Sequence, residues 1–236
     1  MKTLIVIPAY NEAENIISVL SEVSSLNDLQ HVLVVDDGSL DKTAELASNF
    51  GATTLVLPFN LGVGAAMRLG FKYAQQNGYQ AVIQVDADGQ HVPKEIDTLL
   101  QHLGRFDVVI GSRFAKGASG FKVAGSRRMA MRLLAFSLSK ITKVNLTDVT
   151  SGFRASGPRA ISLFATSYPP EYLGDTIESL IIAHRNGLSI KEVPTTIRQR
   201  LTGTSSQSTS RALIYTLRAA FVLLLSLLHR STVEKA

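Results

Sequence analysis

Short apolar runs alternate along the chain with helical patterns, and this alternation restricts the possible folds more than any other feature of the sequence. The runs occupy residues 3–8, 32–35, 53–57, 81–85 and 107–111. Their side chains are mostly apolar at consecutive positions, so each run predicts a strand that is buried on both faces. Buried strands that alternate with helices are typical of a mostly parallel sheet covered on both sides. The sequence therefore predicts an α/β fold.

The predicted helices lie between these strands, and the pattern loosens after residue 111. Helices are predicted over residues 11–24, 42–50, 64–76, 93–103, 126–141 and 176–184, a glycine-rich loop over 115–125 and a further strand over 190–193. Pro93 marks a helix start, because proline is tolerated in the first turn of a helix. We expect residues 1–210 to form one domain and residues 211–236 to form a separate C-terminal helix.

The predicted C-terminal helix is apolar and flanked by arginines. Its uninterrupted apolar stretch, Ala219 to Leu228, is shorter than the roughly 20 residues needed to cross a bilayer. Arg211, Arg218 and Arg230 beside leucines are typical of an amphipathic helix that lies in the membrane interface. A helix packed on the core or at a dimer contact fits the same pattern, so a homo-oligomer is an open alternative.

The composition excludes several kinds of chemistry. The chain contains no cysteine, which removes disulfides, thiolate nucleophiles and cysteine-ligated zinc and favours a cytoplasmic protein. The apolar run after Met1 is too short for a signal peptide. The net charge is +5, and the basic residues from Arg198 onward indicate an anionic partner such as a phosphate or a lipid surface. Nucleic acid is not expected, because this region lacks aromatic spacing for base stacking.

Polar clusters follow several of the predicted strands at the point where each strand ends. These clusters are residues 8–12, 36–39, 86–88 and 111–113. Because the carboxyl ends of parallel strands meet at one edge of a sheet, where ligands bind, we expect the clusters to form one site. No Gly-x-Gly-x-x-Gly fingerprint follows the first strand, so a nicotinamide or flavin site is not expected. No P-loop motif is present either.

Asp86 and Asp88 are the most informative residues in these clusters. Alternation along an extended segment points both carboxylates to one side and Ala87 to the other. Two neighbouring carboxylates repel each other and lose hydration, so a cation commonly stabilises them. Mg²⁺ or Mn²⁺ fits, because these ions take oxygen ligands and share them with substrate phosphates. An acidic turn with ordinary Asp-Gly chemistry is the alternative.

The motifs together resemble those of the family 2 glycosyltransferases of the GT-A fold. The residues that carry the resemblance are Ile7–Glu12, Asp36–Ser39, Asp86–His91, Gly111–Phe114, Asp148–Arg154 and Glu192–Pro194. The last three motifs are similar to the branch of dolichyl-phosphate mannose synthases and polyprenyl-phosphate glycosyltransferases. The resemblance implies a Rossmann-like, mostly parallel sheet flanked by helices. It also implies an inverting enzyme that moves a sugar from a GDP- or UDP-sugar to a polyprenyl phosphate.

The resemblance assigns the donor side of the site to residues early in the chain. The residues expected to bind the nucleotide are Pro8, Tyr10, Glu12, Asp36, Asp37, Asp86 and Ala87. Asp37, or its neighbour Asp36, is expected to accept a hydrogen bond from the base. Asp86 and Asp88, with Gln90 beside them, are expected to hold Mg²⁺ or Mn²⁺ against the diphosphate.

The resemblance assigns the acceptor side to later residues. The residues expected at the acceptor phosphate are Ser112, Arg113, Arg127 and Arg200, with Arg128 as an alternative to Arg127. Asp88, Arg113 and Asp148 are expected to be the catalytic residues. A phosphate acceptor is already an anion at neutral pH, so a general base is optional and arginines matter more. Asp148 is the first candidate base, before Asp175 and Glu178, and a helix cap or a surface acid is the alternative.

Two departures from the family pattern keep other functions open. Val63 stands where relatives often have a lysine, and Gly203–Ser206 lacks the lysine common in that loop. A saccharide or other non-lipid acceptor therefore remains an alternative, as does a non-catalytic nucleotide-sugar-binding protein. A polyprenyl acceptor implies a protein at the cytoplasmic face of a membrane.

Overall fold

The structure, a computed structural model, describes residues 1–26, 31–118, 125–169 and 174–198. For residues 125–127, 130 and 174 the description is limited to the helical backbone. The side chain of Arg127, the residue Arg200, the predicted C-terminal helix and the expected domain boundary at residue 210 lie outside the described residues. No helix in the described ranges is both long enough and apolar enough to cross a bilayer.

The described residues form a sheet with helices between its strands. The strands are β1 (Thr3–Ala9), β2 (Val32–Asp36), β3 (Thr53–Val56), β4 (Ala81–Gln84), β5 (Val108–Ser112), β6 (Arg154–Ser156) and β7 (Ile190–Pro194). The helices are α1 (Ile16–Ser24), α2 (Thr43–Asn49), α3 (Val63–Gln76), α4 (Ile96–Leu103), α5 (Gly125–Thr142), α6 (Pro158–Ser167) and α7 (Gly174–Arg185). A short 3₁₀ helix (Pro93–Glu95) leads into α4.

The strand order in the described part of the chain is β3-β2-β1-β4-β6-β5-β7. Every neighbouring pair is parallel except those that involve β6, which runs antiparallel to both β4 and β5. The prediction of a mostly parallel α/β sheet of the GT-A type is confirmed.

Two hydrophobic layers cover the sheet, one on each face. Within β1, Leu4 and Val6 face the layer that contains α3 and α6, whereas Ile5 and Ile7 face the layer that contains α1 and α4. All of β1, β2, β4 and β5 is buried. Alternate side chains of a strand point to opposite faces, so a strand between two helix layers needs apolar residues at every position. This double burial explains the continuous apolar runs.

The sequence analysis missed β6 and α6. β6 has only three residues, and its outer residues Arg154 and Ser156 are polar although they are buried. Its pairing with β4 and β5 makes it a strand, so no local apolar pattern could indicate it. The first helix begins at Ile16 and not at residue 11. The preceding residues form a turn in which Asn11 adopts a positive φ of 53°.

Candidate active site

The polar clusters meet at the edge of the sheet where the parallel strands end. β1, β2, β4 and β5 all end at this edge. β6 begins there, because Arg154 pairs with Gln84 near the end of β4 and with Ile110 near the end of β5. The reversed strand therefore brings the segment 147–153 into the same region as the acid pair and Arg113.

The loops after β1 and β2 are joined by hydrogen bonds. The amide of Asn11 donates to Ser39 Oγ at 2.9 Å, and Asn11 Oδ1 accepts from the amide of Leu40 at 2.8 Å. The amide of Glu12 donates to Thr43 Oγ1 at 2.9 Å. These bonds hold the first two polar clusters as one rigid rim.

The predicted nucleotide residues on this rim differ in exposure. Tyr10 is 40% exposed, so its ring is available to a ligand. Glu12 is buried, and its Oε2 accepts from Asn15 Nδ2 at 2.7 Å. Pro8 and Ala87 are buried in the sheet edge beneath the rim.

Asp36 and Asp37 use their carboxylates differently. Asp37 Oδ1 accepts from the amide of Leu61 and its Oδ2 from the amide of Gly62, both at 2.8 Å. Burial raises the pKa of Asp37, and these two backbone hydrogen bonds oppose the rise. Asp36 Oδ1 accepts from the amide of Ser39 at 2.8 Å, whereas its buried Oδ2 has no hydrogen-bond partner among the described residues. Asp37 thus fixes the turn before α3, whereas one oxygen of Asp36 is buried and accepts no hydrogen bond from the described residues.

Gln84 and His91 orient the carboxylate of Asp86. Its Oδ1 accepts from Gln84 Nε2 at 3.0 Å, and its Oδ2 lies 3.5 Å from His91 Nε2. The amide of Asp86 donates to His91 Nδ1 at 3.0 Å, and the His91 ring packs 4.9 Å from the ring of Phe153. A Cβ on Gly152 would lie 3.2 Å from both carboxylate oxygens of Asp86. Glycine therefore lets the segment before β6 pass directly beside this carboxylate.

Gln90 holds both oxygens of the Asp88 carboxylate. Its Oδ1 accepts from the amide of Gln90 at 3.0 Å, and its Oδ2 accepts from Gln90 Nε2 at 2.7 Å. The carbonyl of Gln90 in turn accepts from the amide of Arg198 at 2.9 Å. Gln90, which was expected beside the metal, therefore contacts Asp88 through its backbone and side-chain nitrogen atoms.

The acid pair fits a cation that is shared with a substrate. No cluster of three or more His, Asp or Glu side chains suited to a metal is found in the described ranges. The side chain of Asp86 is 37% exposed, so an ion has access to it. Carboxylate oxygens suit Mg²⁺ and Mn²⁺, and such ions commonly complete their coordination with phosphate oxygens and water.

Arg113 and Asp148 form a bidentate ion pair beside the acid pair. Arg113 Nε and Nη2 donate to the two oxygens of Asp148 at 2.6 and 2.7 Å, and Nη2 also donates to Thr150 Oγ1 at 2.8 Å. The Asp148 side chain is fully buried and that of Arg113 is 13% exposed. Burial acts to lower the pKa of Arg113, but its hydrogen bonds to Asp148 and the charges of Asp148, Asp86 and Asp88 raise it overall. The guanidinium is therefore fixed as a cation.

Ser112 lies behind this arginine. Its fully buried Oγ accepts from the amides of Phe114 and Ala115 at 3.1 and 3.0 Å and bonds to Thr147 Oγ1 at 2.9 Å. These contacts shape the chain around Arg113 and enclose the hydroxyl that was expected at the acceptor phosphate.

Two charged residues, of which Arg154 is buried and Glu192 is partly buried, hold the segment that carries Asp148. The sequence analysis assigned neither of them a role. Glu192 on β7 accepts hydrogen bonds from Thr147 and Asp148. Arg154 donates to the carbonyls of Val149 and Ser151. Both residues stand inside motifs that carried the family resemblance, and that position was the available signal.

The structure also places three other residues that the sequence analysis noted. Arg198 pairs with Glu22 on α1, with its Nη1 and Nη2 donating at 2.9 and 2.7 Å. Asp175 is buried at the start of α7. Arg128 is exposed on α5.

A mostly parallel sheet with one reversed strand, and an acid pair at its carboxyl edge, defines the GT-A class of glycosyltransferase folds. The same fold occurs in glucosyl-3-phosphoglycerate synthase from Mycobacterium tuberculosis, solved in complex with Mn²⁺, UDP and glucosyl-3-phosphoglycerate. That structure aligns with a TM-score of 0.73 and 22% identity over 95% of this chain and 79% of its own.

The chain belongs to glycosyl transferase family 2, whose model matches residues 4–162. Polyprenol monophosphomannose synthase from Mycolicibacterium smegmatis is 32% identical, over 89% of this chain and 82% of its own length. Undecaprenyl-phosphate mannosyltransferase from Micrococcus luteus is 33% identical over 88% of both chains. The resemblance to the polyprenyl-phosphate branch of the family is confirmed.

Proposed function

We propose that the protein transfers a sugar from a nucleoside diphosphate sugar to the phosphate of a polyprenyl phosphate. The observation that carries the proposal is the guanidinium of Arg113, which Asp148 holds at the sheet edge that also bears the acid pair. A cation site and a fixed arginine at one edge suit two substrates that both carry phosphate. The names of the two relatives, which describe mannose transfer involving polyprenyl phosphates, support the same reading.

On the donor side, Asp86 and Asp88 would hold Mg²⁺ or Mn²⁺, whose positive charge would stabilise the diphosphate as a leaving group. His91 orients Asp86 and Gln90 orients Asp88 before the donor binds. Such outer contacts to ligating carboxylates set the geometry of a metal site.

The nucleotide lies along the rim formed by the loops after β1 and β2. We assign the hydrogen bond to the base to Asp36 in preference to Asp37, because both oxygens of Asp37 already accept backbone hydrogen bonds. Guanine and uracil both offer a ring N–H to such an acceptor, so GDP- and UDP-sugars both fit. Tyr10 contributes the exposed ring beside the base and ribose, with Pro8 and Glu12 beneath it.

On the acceptor side, Arg113 binds the phosphate and orients its oxygen toward the sugar. That oxygen is already anionic at neutral pH, so it attacks the sugar carbon without a general base. The nucleoside diphosphate leaves with the electrons of the broken bond, and the configuration at the sugar carbon inverts. We therefore assign Asp148 to positioning Arg113, since both its oxygens are engaged by that guanidinium.

A surface on α5 supports a lipid-linked acceptor. Met129, Leu133 and Phe136 are each more than 60% exposed and share one helix face, since they are spaced by four and three residues. Basic residues surround a groove of about 570 Å³ between α5 and residues 143–147; they are Arg128, Arg132, Lys140 and Lys143. The groove reaches Thr147, which neighbours Asp148. Apolar side chains flanked by cations are typical of a helix that contacts an anionic membrane surface.

A transfer assay tests the proposal. The purified protein with Mn²⁺ is given radiolabelled GDP-mannose, UDP-glucose or UDP-N-acetylglucosamine, and each of three acceptors: undecaprenyl phosphate, undecaprenol and an oligosaccharide. We expect product from one donor and only from the lipid phosphate. Arg113→Lys should raise the KM for the lipid phosphate more than the KM for the donor. Transfer to the oligosaccharide would identify a different acceptor, and donor binding without any transfer would identify a nucleotide-sugar-binding protein.

Vesicle sedimentation tests the membrane surface separately. We expect the protein to bind vesicles that contain phosphatidylglycerol and the double variant Leu133→Glu/Phe136→Glu to bind them less. Leu26→Glu is the matched control, because Leu26 is an exposed apolar residue near the end of α1. If Leu133→Glu/Phe136→Glu and Leu26→Glu bind the vesicles equally, α5 does not contact the membrane as proposed.

A further inference from the structure

The segment 147–151 holds the partners of Arg113 although it is neither helix nor strand. Asp148 and Thr150 both accept hydrogen bonds from Arg113. The segment lies between α5 and β6, where no helix or strand ladder fixes the backbone. Its geometry must therefore come from side chains of other elements.

Glu192 fixes the start of this segment. Its Oε2 accepts from the amides of Thr147 and Asp148 at 2.7 and 2.9 Å, and its Oε1 accepts from Thr147 Oγ1 at 2.6 Å. Glu192 pairs with Ile110 across β7 and β5, so it stands on the strand beside the one that leads to Arg113. Hydrogen bonds to a carboxylate are stronger than neutral ones, and three on one side chain strongly restrict the turn.

Arg154 fixes the end of the segment with the opposite charge. Its Nε and Nη2 donate to the carbonyls of Ser151 and Val149 at 2.8 and 3.0 Å. Its Nη1 donates to the carbonyl of Thr176 and to Ser179 Oγ on α7 at 2.8 and 3.0 Å. A partly buried anion thus holds the amides at one end of the segment, and a buried cation holds the carbonyls at the other.

We propose that Glu192 is a positioning residue for the acceptor phosphate, acting through Asp148 on Arg113. Glu192 holds the amide of Asp148, so it sets where the Asp148 carboxylate stands, and that carboxylate sets the direction of the guanidinium. The inference rests on the proposed function for the identity of the ligand. The relay from Glu192 to Arg113 rests on the geometry of these three residues alone.

The kinetic test compares two substitutions at Glu192 with a matched control. Glu192→Ala leaves the amides of Thr147 and Asp148 without their acceptor, whereas Glu192→Gln keeps one oxygen for them. We expect Glu192→Ala to raise the KM for a short isoprenyl phosphate on the order of tenfold, the loss of about one charge-assisted hydrogen bond. The KM for the donor should change less than twofold, and Glu192→Gln should recover most of the acceptor affinity.

The control is Asp107→Ala, at the opposite end of the same strand pair. Asp107 Oδ2 accepts from the amide and Oγ of Ser189, both at 2.8 Å, and so links the starts of β5 and β7. A substitution that only weakens the contact between β5 and β7 should act alike at both ends. Equal effects of Asp107→Ala and Glu192→Ala on the acceptor KM would overturn the proposal.

A spectroscopic readout separates this inference from the proposed function. The Nε–H of Arg113 is buried against Asp148, so its NMR signal should exchange slowly with solvent; the Arg113→Lys variant, which lacks the signal, assigns it. We expect Glu192→Ala to accelerate this exchange and Glu192→Gln to preserve it. Should Glu192→Ala fold poorly, Thr147→Val, which removes one of the three bonds, replaces it. If the exchange rate of the Arg113 Nε–H is unchanged in the variant, the relay is refuted even when the protein transfers sugar. If the exchange is faster but the unaltered protein transfers no sugar, only the proposed function is refuted.

Discussion

Removing the charge of Asp148 should destabilise the protein strongly, because its partner is buried with it. Asp148→Asn keeps one carbonyl oxygen for Arg113 but places an amide group against another guanidinium N–H. The Asp148 side chain is fully buried and the Arg113 side chain is 13% exposed, so solvent screens the guanidinium poorly once the charge of Asp148 is removed. Breaking one side of a buried ion pair costs about 3–5 kcal/mol. Since asparagine keeps one acceptor, we expect a loss of about 3 kcal/mol.

Urea unfolding measures this loss of stability directly, and thermal unfolding provides a second measurement. For a chain of 236 residues, each kcal/mol corresponds to about 2–4 °C in Tm, so a loss of about 3 kcal/mol predicts a fall in Tm of about 6–12 °C. The slope of the free energy of unfolding against urea should stay constant, which shows that the variant unfolds from the same compact state.

Arg159→Gln is the matched control for this prediction. Arg159 pairs with Asp107 at 3.0 Å, but its side chain is 63% exposed, so the pair contributes less than about 1 kcal/mol. If Asp148→Asn lowers the stability no more than Arg159→Gln does, then Arg113 and Asp148 do not form the buried pair described above, and the proposed acceptor site loses its basis.

Three further predictions concern other parts of the site and the surface. Gly152→Ala places a Cβ 2.7 Å from Gln84 Nε2 and 3.2 Å from both carboxylate oxygens of Asp86. The overpacking should cost about 1–3 kcal/mol in urea unfolding. Displacement of the Gln84 amide, and of the carboxylate to which it donates, should lower kcat on the order of 100-fold, and unchanged kinetics would contradict the close packing. Excess EDTA should abolish sugar transfer, and added Mn²⁺ should restore it. Asp88→Asn should raise the Mn²⁺ concentration that gives half-maximal transfer, and an unaltered Mn²⁺ titration in this variant would exclude Asp88 as a ligand. The hydrogen bond to Arg198 holds the pKa of Glu22 below its ordinary value of 4.5, so this pair stabilises the protein above pH 4.5 and the contribution is lost as the pH falls through the lowered pKa. Because both side chains are about a third exposed, Glu22→Gln should lower the free energy of unfolding by less than about 1 kcal/mol at pH 7, and by less again in high salt. If the difference in free energy of unfolding from the unaltered protein persists in strong acid, the predicted pH dependence is wrong.

The elements that sequence could predict are those with a local cause. β1 and β4 lie between two helix layers, so their residues are apolar at consecutive positions and the pattern is visible without a structure. The polar residues at the strand ends could be grouped in advance, because a parallel sheet brings those ends together. β6 could not be predicted, since Arg154–Ser156 becomes a strand only through its two neighbours.

The hydrogen-bond partners of the site residues were not predictable in the same way. Asp37 belongs to a recognisable motif, yet its carboxylate bonds to Leu61 and Gly62, more than twenty residues further on. Glu192 is separated from Asp148 by 44 residues. Such pairings depend on how strands are ordered in the sheet, and a local pattern carries no information about that order. The sequence therefore indicates which residues gather at the site but not which of them contact a substrate.

The reversed strand explains how one sheet edge serves two phosphate-bearing substrates. The acid pair follows β4 and Arg113 follows β5, and β6 lies between these strands. Neighbouring strands are about 4.8 Å apart, so the two ends are separated by roughly 10 Å. Under the proposed function this gap holds the sugar between the departing diphosphate and the attacking phosphate. Gly152, which leads into β6, needs to be small because it passes beside Gln84 and Asp86. The same strand that interrupts the parallel sheet thus separates the end of β4, which carries the acid pair, from the end of β5, which leads to Arg113.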